Sequence, residues 1–592
     1  MFAWRAVCVM YSKYLPVHKY DHNCLYINHS IRIDQLFSPD SDGNKPKTVI
    51  LSGDSGRGKS FTLQKIMLDW ASGELYSENF DVVFLLKCDE VKCFSHQMSL
   101  DELLSWSYSI TSYQISQILE LTPEKVLILI DGIDEFSFDP HIQISSPTKS
   151  SQKALPMNIL RSLLNGQILP ESFLLVTTRS DAGTVMNLLK GPQRFTDIMG
   201  FSERGVQEFF QKFFQDEQLF RKTYESLTTN ESLLTACSVP LLCWMVCFCL
   251  KKHYTDDDHV MRELKTTTSI YVQFVSTLLE HHDQSQSVLR SLGQLAEEGI
   301  LDEEVLFDQK TVFKTGLDAE SSLFLHDPDI QDLIRKRSLK FMHLSFQEFF
   351  MALYYMFLNE EESQRNIRDI FAAERVKGRL TNSIASVLLF LCGLSNEDTS
   401  SSLFEKHNWT VSYIIRKEME STILTLQDED NLFALQCLYE LHDEEFVRRA
   451  LGDRVSMNLS NVSLRSTDCW VLLYCLQCWP HIRYLNLMYC DLTAEKLKIL
   501  QPALCMCETL RSVCLHGEQT QPKSFILSVQ CCYQIFLFIS VCFRLSLSSS
   551  EKNPSFPAVL NISLTCPQSE ISSTDWTLFL QKLSKAGQFA EE

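Results

Sequence analysis

Thr48–Ser60 reads TVILSGDSGRGKS. The apolar run Val49, Ile50, Leu51 leads straight into Gly53-x-x-x-x-Gly58-Lys59-Ser60, and Phe61–Trp70 then has helical spacing. A glycine-rich turn of this pattern between a strand and a helix is a phosphate-binding loop. Gly53, Gly56 and Gly58 allow a tight turn whose backbone N–H groups converge on one anion. Lys59 adds positive charge towards the outer phosphates, the Ser60 hydroxyl can hold Mg²⁺, and the following helix presents its positive end to the same phosphates. Gly53, Asp54, Ser55, Gly56, Arg57, Gly58, Lys59, Ser60 and Phe61 are the candidate binding residues for a nucleoside triphosphate or its diphosphate.

Around this loop, apolar runs alternate with helical spacing. Asp81–Lys87 (DVVFLLK), Val126–Ile130 (VLILI) and Phe173–Thr178 (FLLVTT) read as buried strands, and Leu100–Leu119 and Leu155–Leu164 as helices. Such alternation predicts a parallel sheet with helices on both faces, whose ligands bind at the carboxyl ends of the strands. Ser52, Asp131 and Arg179 all fall at such ends. Asp131 closes the second buried strand, where a carboxylate can hold Mg²⁺ directly or through water; a turn cap is its plainer role. Asp134 and Glu135 follow closely enough to orient an attacking water, and a solvated acidic turn is the competing reading.

The chain has 592 residues, too many for one core, and is 45% hydrophobic, as a globular protein is. Its 54 basic and 74 acidic side chains give a net charge of −20, which argues against nucleic acid as the main partner. The 21 cysteines are scattered through apolar segments, as Cys237, Cys243, Cys247 and Cys249 are, which reads as buried free thiols in a reducing compartment. No C-x-x-C pair recurs with histidine at zinc spacing, so Mg²⁺ is the one metal expected. The opening MFAWRAVCVMYSKYL is briefly apolar without a clear cleavage site, and is read as no signal peptide.

From Phe201 onward the spacing is helical: Gly205–Phe214, Pro240–Leu250, Ile270–Leu279, Val288–Glu298, Phe341–Phe357 and Ile384–Leu394, with polar links such as Tyr254–His259. A repeat follows. Met457-Asn-Leu459-x-x-Val462-x-Leu464 recurs 28 residues later as Leu485-Asn-Leu487-x-x-Cys490-x-Leu492, and Leu510-x-x-Val513-x-Leu515 falls at the next step. Trp470–Leu476 and Lys498–Leu504 fill equivalent helical slots, and Leu560-Asn-Ile562-x-Leu564 with Thr574–Trp576 echoes the pattern. This is the leucine-rich repeat period, one strand and one helix per unit. The apolar run Phe525–Phe543 interrupts the array; it carries Gln530 and Gln534 and is read as an irregular insertion, with a membrane span as the alternative.

The phosphate loop, DGIDE at 131–135, TTR at 177–179, the helical region and the repeats, in this order, resemble a NOD-like receptor with a NACHT ATPase module of the STAND P-loop class. IDQLFSPDSDG and SGDSGRGKSFTLQKIMLDW look like the fish-type expanded group of these receptors. The resemblance implies a multidomain fold: an α/β P-loop NTPase (NACHT) module, an all-α helical and winged-helix region, and C-terminal leucine-rich repeats forming an α/β solenoid. The expected boundaries are a short lead-in at 1–46, the NACHT domain at 47–200, a helical domain at 201–262, a winged-helix domain at 263–357, a second helical domain at 358–455, and repeats at 456–592 with the insertion near 525–550.

The resemblance further implies that the acidic cluster Asp134 and Glu135 serves hydrolysis and that Arg179 senses the terminal phosphate. It places Pro240, in SVPLL, near adenine, and His343, in FMHLSFQE, on the diphosphate. By itself Pro240 is a helix start and His343 a residue of an aromatic helix. Two functions are weighed: a cytoplasmic receptor, closed around ADP, opened by ligand and ATP exchange and self-associating through NACHT; or an ordinary P-loop NTPase turning over ATP. The first implies slow ATPase activity, an unknown ligand or protein at the repeats, and no membrane. No Asn-Lys-x-Asp guanine signature follows the loop, and the stretch up to about Lys47 is read as a lead-in too short for a full signalling domain.

Overall fold

The computed structural model describes residues 17–20, 29–40, 43–92, 94, 96–108, 110–135, 147–179, 189–252, 263–280, 286–317, 323–326, 338–377, 381–404, 417, 419–420, 423, 431–487, 490, 492, 494–506, 512–517, 538–545 and 558–563. The Tyr254–His259 link, residues 525–537, Thr574–Trp576 and the side chain of Glu135 lie outside the described residues. The chain divides into two compact units, Met1–Phe390 with Ser401–Ser412, and Leu391–Ser400 with Tyr413–Glu592.

In the first unit the strands are β1 (Val17–Tyr20), β2 (His29–Ile31), β3 (Thr48–Ser52), β4 (Val82–Lys87), β5 (Val126–Asp131), β6 (Phe173–Thr178) and β7 (Gln193–Ile198). Among the described residues they form one sheet in the order β2-β1-β7-β3-β6-β5-β4. β7, β3, β6, β5 and β4 run parallel, whereas β1 lies antiparallel on β7 and β2 antiparallel on β1. The expected parallel sheet is thus mixed at one edge, and part of the 1–46 lead-in belongs to it.

The phosphate-loop strand is central, with Val49, Ile50 and Leu51 at most 2% exposed. Helices α1 (Lys59–Ala71), α2 (Cys88–Lys92), α3 (Leu100–Ser107), α4 (Ser112–Leu121) and α5 (Pro156–Leu164) follow the strands. Leu103, Leu104, Ile115, Leu119, Ile159 and Leu163 pack with Ile50, Phe84, Ile128 and Val176 of the sheet in one core. The single helix expected over Leu100–Leu119 is two helices. Each starts with its own capping box, Ser99 with Glu102 and Thr111 with Gln114, which satisfies the orphan N–H groups of a new helix start.

Helices α6 (Glu203–Phe214), α7 (Pro240–Lys252), α8 (Thr267–Glu280), α9 (Gln286–Leu301) and α10 (Leu344–Phe357) continue the unit. A small sheet lies among them, β8 (Phe307–Asp308), β9 (Leu325–His326) and β10 (Ser338–Phe341), with β10 in the middle and antiparallel to both neighbours. The expected helix over Phe341–Phe357 starts only at Leu344, because Ser338–Phe341 is strand and His343 caps the helix. α10 is apolar on nearly every side, and Phe346, Phe349 and Phe350 are fully buried against Tyr271 of α8 and Phe324. Next comes α11 (Asn382–Leu394).

In the second unit β11 (Ser456–Asn458), β12 (Tyr484–Leu487), β13 (Ser512–Gly517) and β14 (Phe538–Leu545) are parallel, and β15 (Ala558–Ser563) closes antiparallel on β14. Met457 pairs with Leu485 and Leu485 with Val513, the 28-residue register read from the sequence. Helices α12 (Ser466–Gln477) and α13 (Ala494–Met506) connect these strands. Part of the expected irregular insertion, Phe538–Leu545, is a strand of this sheet. The division into units does not coincide with the expected boundary at 455, because residues before it bond to the array: Asn431 Nδ2 donates to Asn458 O at 3.3 Å, and Gln436 Nε2 to Asp468 Oδ1 at 2.8 Å. Among the described residues no helix is long and apolar enough to cross a membrane.

Candidate functional site

Parallel pairing brings Ser52, Thr178 and Asp197 level at one sheet edge, with Asp131 at the end of β5 on the same side. Between Ser52 and α1 the loop turns through Gly56 (φ 76°) and Gly58 (φ 94°), conformations that cost side chains strain. At Gly56 a Cβ would also lie 3.1 Å from Leu241 Cβ and 3.3 Å from Val239 Cγ1. The segment around Pro240 therefore presses on the loop, and Leu241 N–H donates to Gly56 O at 3.4 Å.

Lys59 Nζ donates to its own loop, to Gly53 O at 2.6 Å and Asp54 O at 2.9 Å. Burial lowers its pKa first, and the charge of Arg179 adds to this. A desolvated ammonium whose hydrogen bonds go to carbonyl oxygens, with Asp134, Asp54 and Asp131 nearby, is a site that an anion improves. Asp54 and Arg57 pair with each other at 3.1 Å, and Arg57 also donates to Met199 O. Their side chains brace the loop against the end of β7.

Asp131 accepts from Thr177 Oγ1 at 2.6 Å, and Thr177 Oγ1 accepts from Gly132 N–H at 2.8 Å. Burial raises its pKa, opposed by the hydroxyls of Thr177 and Ser60. A desolvated carboxylate beside the Ser60 hydroxyl fits the donor set of Mg²⁺. No group of three or more His, Cys, Asp or Glu that could hold a metal occurs among the described residues.

Arg179 is held on two sides. Its backbone N–H donates to Asp134 Oδ1 at 3.1 Å, its Nε stands 3.4 Å from Asp134 Oδ2, and its Nη1 stands 3.5 Å from Glu348 Oε1. Glu348 is a carboxylate of α10, 1% exposed, with hydroxyl contacts from Ser383 and Ser386 of α11. A second ion pair links the same parts, Lys340 Nζ to Asp89 Oδ2 at 3.5 Å. Sequence reading missed Glu348; an acidic residue inside the apolar run FQEFF was the available signal.

His343 enters from the N-terminus of α10. Its Nδ1 accepts from Ser345 N–H at 3.1 Å and lies 2.6 Å from Ser345 Oγ, which in turn is 2.5 Å from Tyr271 Oη. A backbone N–H can only donate, so the neutral ring carries its proton on Nε2. Burial and then the charges of Arg179 and Lys59 push its pKa down to about 3. Lys59, Arg179 and His343 thus share one electrostatic environment. Asp131, Asp134 and Arg179 act on Lys59, and Lys59 and Arg179 on His343, whereas the Ser52 hydroxyl turns to Thr196 O and Asp197 Oδ1 of β7. Phe61 lies on α1 and is half-buried.

A family model for the NACHT domain matches residues 47–217, and one for the NLRC4 helical domain HD2 matches 343–449. The chain is 57% identical over 606 aligned positions, 95% of its length and 44% of the relative's, to the NACHT, LRR and PYD domains-containing protein 1 homolog of Danio rerio. It is 34% identical to the human NACHT, LRR and PYD domains-containing protein 3 over 77% of this chain and 46% of that one. The human protein 12 of the same series is 32% identical over 76% and 44%. The chain spans under half the length of these relatives. Among solved structures, a signal transduction ATPase with a tetratricopeptide repeat sensor from Pyrococcus horikoshii aligns at a TM-score of 0.25 and 12% identity, over 78% of this chain and 61% of that one.

Proposed function

The chain belongs to the NOD-like receptor family, whose members carry a NACHT nucleotide-binding domain, and from that premise we propose that it is an ATP/ADP-controlled switch of the intracellular innate-immune type, self-assembling through NACHT. The observation that carries this reading is His343: a residue of the winged-helix region shares the environment of Lys59 and Arg179 in the ATPase domain. In this reading Gly53–Ser60 supplies backbone donors and Lys59 the charge for the phosphates. Ser60 and Asp131 hold Mg²⁺, and Pro240 and its neighbours wall the adenine side. ATP contributes a terminal phosphate whose slow hydrolysis resets the switch. Asp134 or Glu135 orients the water, and Arg179 faces the charge that develops.

The Nε2–H of His343 donates to the diphosphate, so the nucleotide side of the ATPase domain and the winged-helix region are held by one ligand. The parallel strands at 28-residue register are read as leucine-rich repeats presenting a concave surface to a ligand or protein. The compartment is the cytoplasm, with no nucleic acid as main partner.

His343→Ala tests this. Removing a contact of roughly 1–3 kcal/mol should speed release of fluorescent ADP several-fold to about a hundredfold and increase self-association, with the fold intact. Equal off-rates at matched stability contradict the reading.

A further inference from the structure

We propose that Glu348 determines the choice between nucleoside diphosphate and triphosphate at this site, by competing with the terminal phosphate for Arg179. The proposal rests on the nucleotide-switch reading above. Arg179 is pinned by two carboxylates at once, Asp134 from the ATPase side and Glu348 from α10. Glu348 lies five positions after His343 on the same element, so the carboxylate that holds Arg179 and the imidazole that faces the phosphates move together. At 1% exposure, Glu348 has almost no water, and Arg179 is its cationic partner. The pair is long, with Arg179 Nη1 at 3.5 Å from Glu348 Oε1, and the carboxylate is shared between the guanidinium and the Ser383 and Ser386 hydroxyls.

A buried carboxylate stripped of its counter-charge is strongly disfavoured. For Arg179 to turn towards a third phosphate, Glu348 must therefore lose its partner or leave the site, carrying α10 with it. A diphosphate has no group in that position and leaves the pair in place. The triphosphate is accepted only against the cost of uncovering Glu348, so the closed arrangement is a diphosphate site. Glu348 acts through Arg179 and is a positioning residue, touching no phosphate itself.

The experiment measures affinities of the full chain, freed of nucleotide, for ADP and for the β,γ-imido analogue of ATP. Glu348→Gln keeps hydrogen bonds to the two serines and removes the charge. It should move the ratio of the two affinities towards the analogue by about tenfold or more, the effect of one charge-assisted contact. Glu348→Asp, which keeps the charge on a shorter arm, should move it less in the same direction and is the variant to read if Glu348→Gln does not fold. In an Arg179→Ala background Glu348→Gln should no longer change the ratio, an outcome that a merely structural role would not produce. A ratio unchanged in both single variants, or an equal loss of both affinities, overturns the proposal. If the wild type binds neither nucleotide, or Lys59→Ala binds both as well as wild type, the switch reading itself has failed instead.

Discussion

Burial and the charges of Arg179 and Lys59 hold His343 neutral at pH 7, and its titration makes a testable difference. Its pKa falls from 6.5 in the unfolded chain to about 3 in the folded one. The unfolded state therefore binds the proton first, and the stability linked to this group is complete above pH 6.5 and lost as pH falls from 6.5 towards about 3. His343→Ala should remove about 1 kcal/mol of the stability loss seen between pH 7 and pH 5.5. Urea unfolding of nucleotide-free wild type and variant at the two pH values checks this; parallel pH dependences would show that the ring is not enclosed. The phosphate-loop residues, Asp131 and Arg179 were legible as residues because they end apolar runs. The tautomer of His343 was not, since it depends on Ser345 N–H, nor was Glu348, whose role appears only when α10 is packed against Arg179.

One strand missed in the sequence, β7, has a polar interior with specific partners. β7 reads QRFTDI and carries no apolar run, yet it neighbours the phosphate-loop strand. Its Arg194 is 4% exposed because Nη1 donates to Gln35 O at 2.8 Å and Leu36 O at 2.6 Å, and its Thr196 Oγ1 donates to Ile50 O at 2.8 Å. Hydrophobic periodicity cannot register a strand whose buried polar side chains bond to backbone carbonyls of its neighbours. The break between α3 and α4 was hidden for a related reason: continuous helical spacing outweighed two capping signals. Ser99→Ala should cost about 1 kcal/mol, read as a lower urea midpoint at constant slope, with ADP affinity unchanged. An unshifted midpoint would mean that Ser99, whose Oγ accepts from Glu102 N–H at 3.1 Å, does not hold the start of α3.

Over the whole molecule, the order of parts was legible because each announces itself by a different period: alternating strands and helices, then helices, then a 28-residue repeat. Where the parts join was not. The helix Asn431–Leu441 bonds to the first strand and helix of the 28-residue array, and the lead-in contributes two strands to the sheet of the first unit. These junctions rest on pairwise polar and aromatic contacts, such as Tyr439 and His442 against Tyr474, and on short strand pairings that leave no periodic trace. The central claim concerns the molecule as purified: a closed switch keeps its diphosphate, a fast enzyme exchanges it. Mass spectrometry of nucleotide extracted from wild type and Lys59→Ala is the direct measurement. ADP in near-equal molar amount with wild type and its absence from Lys59→Ala is the expected result; wild type free of nucleotide, or equal ADP in both proteins, would contradict the account.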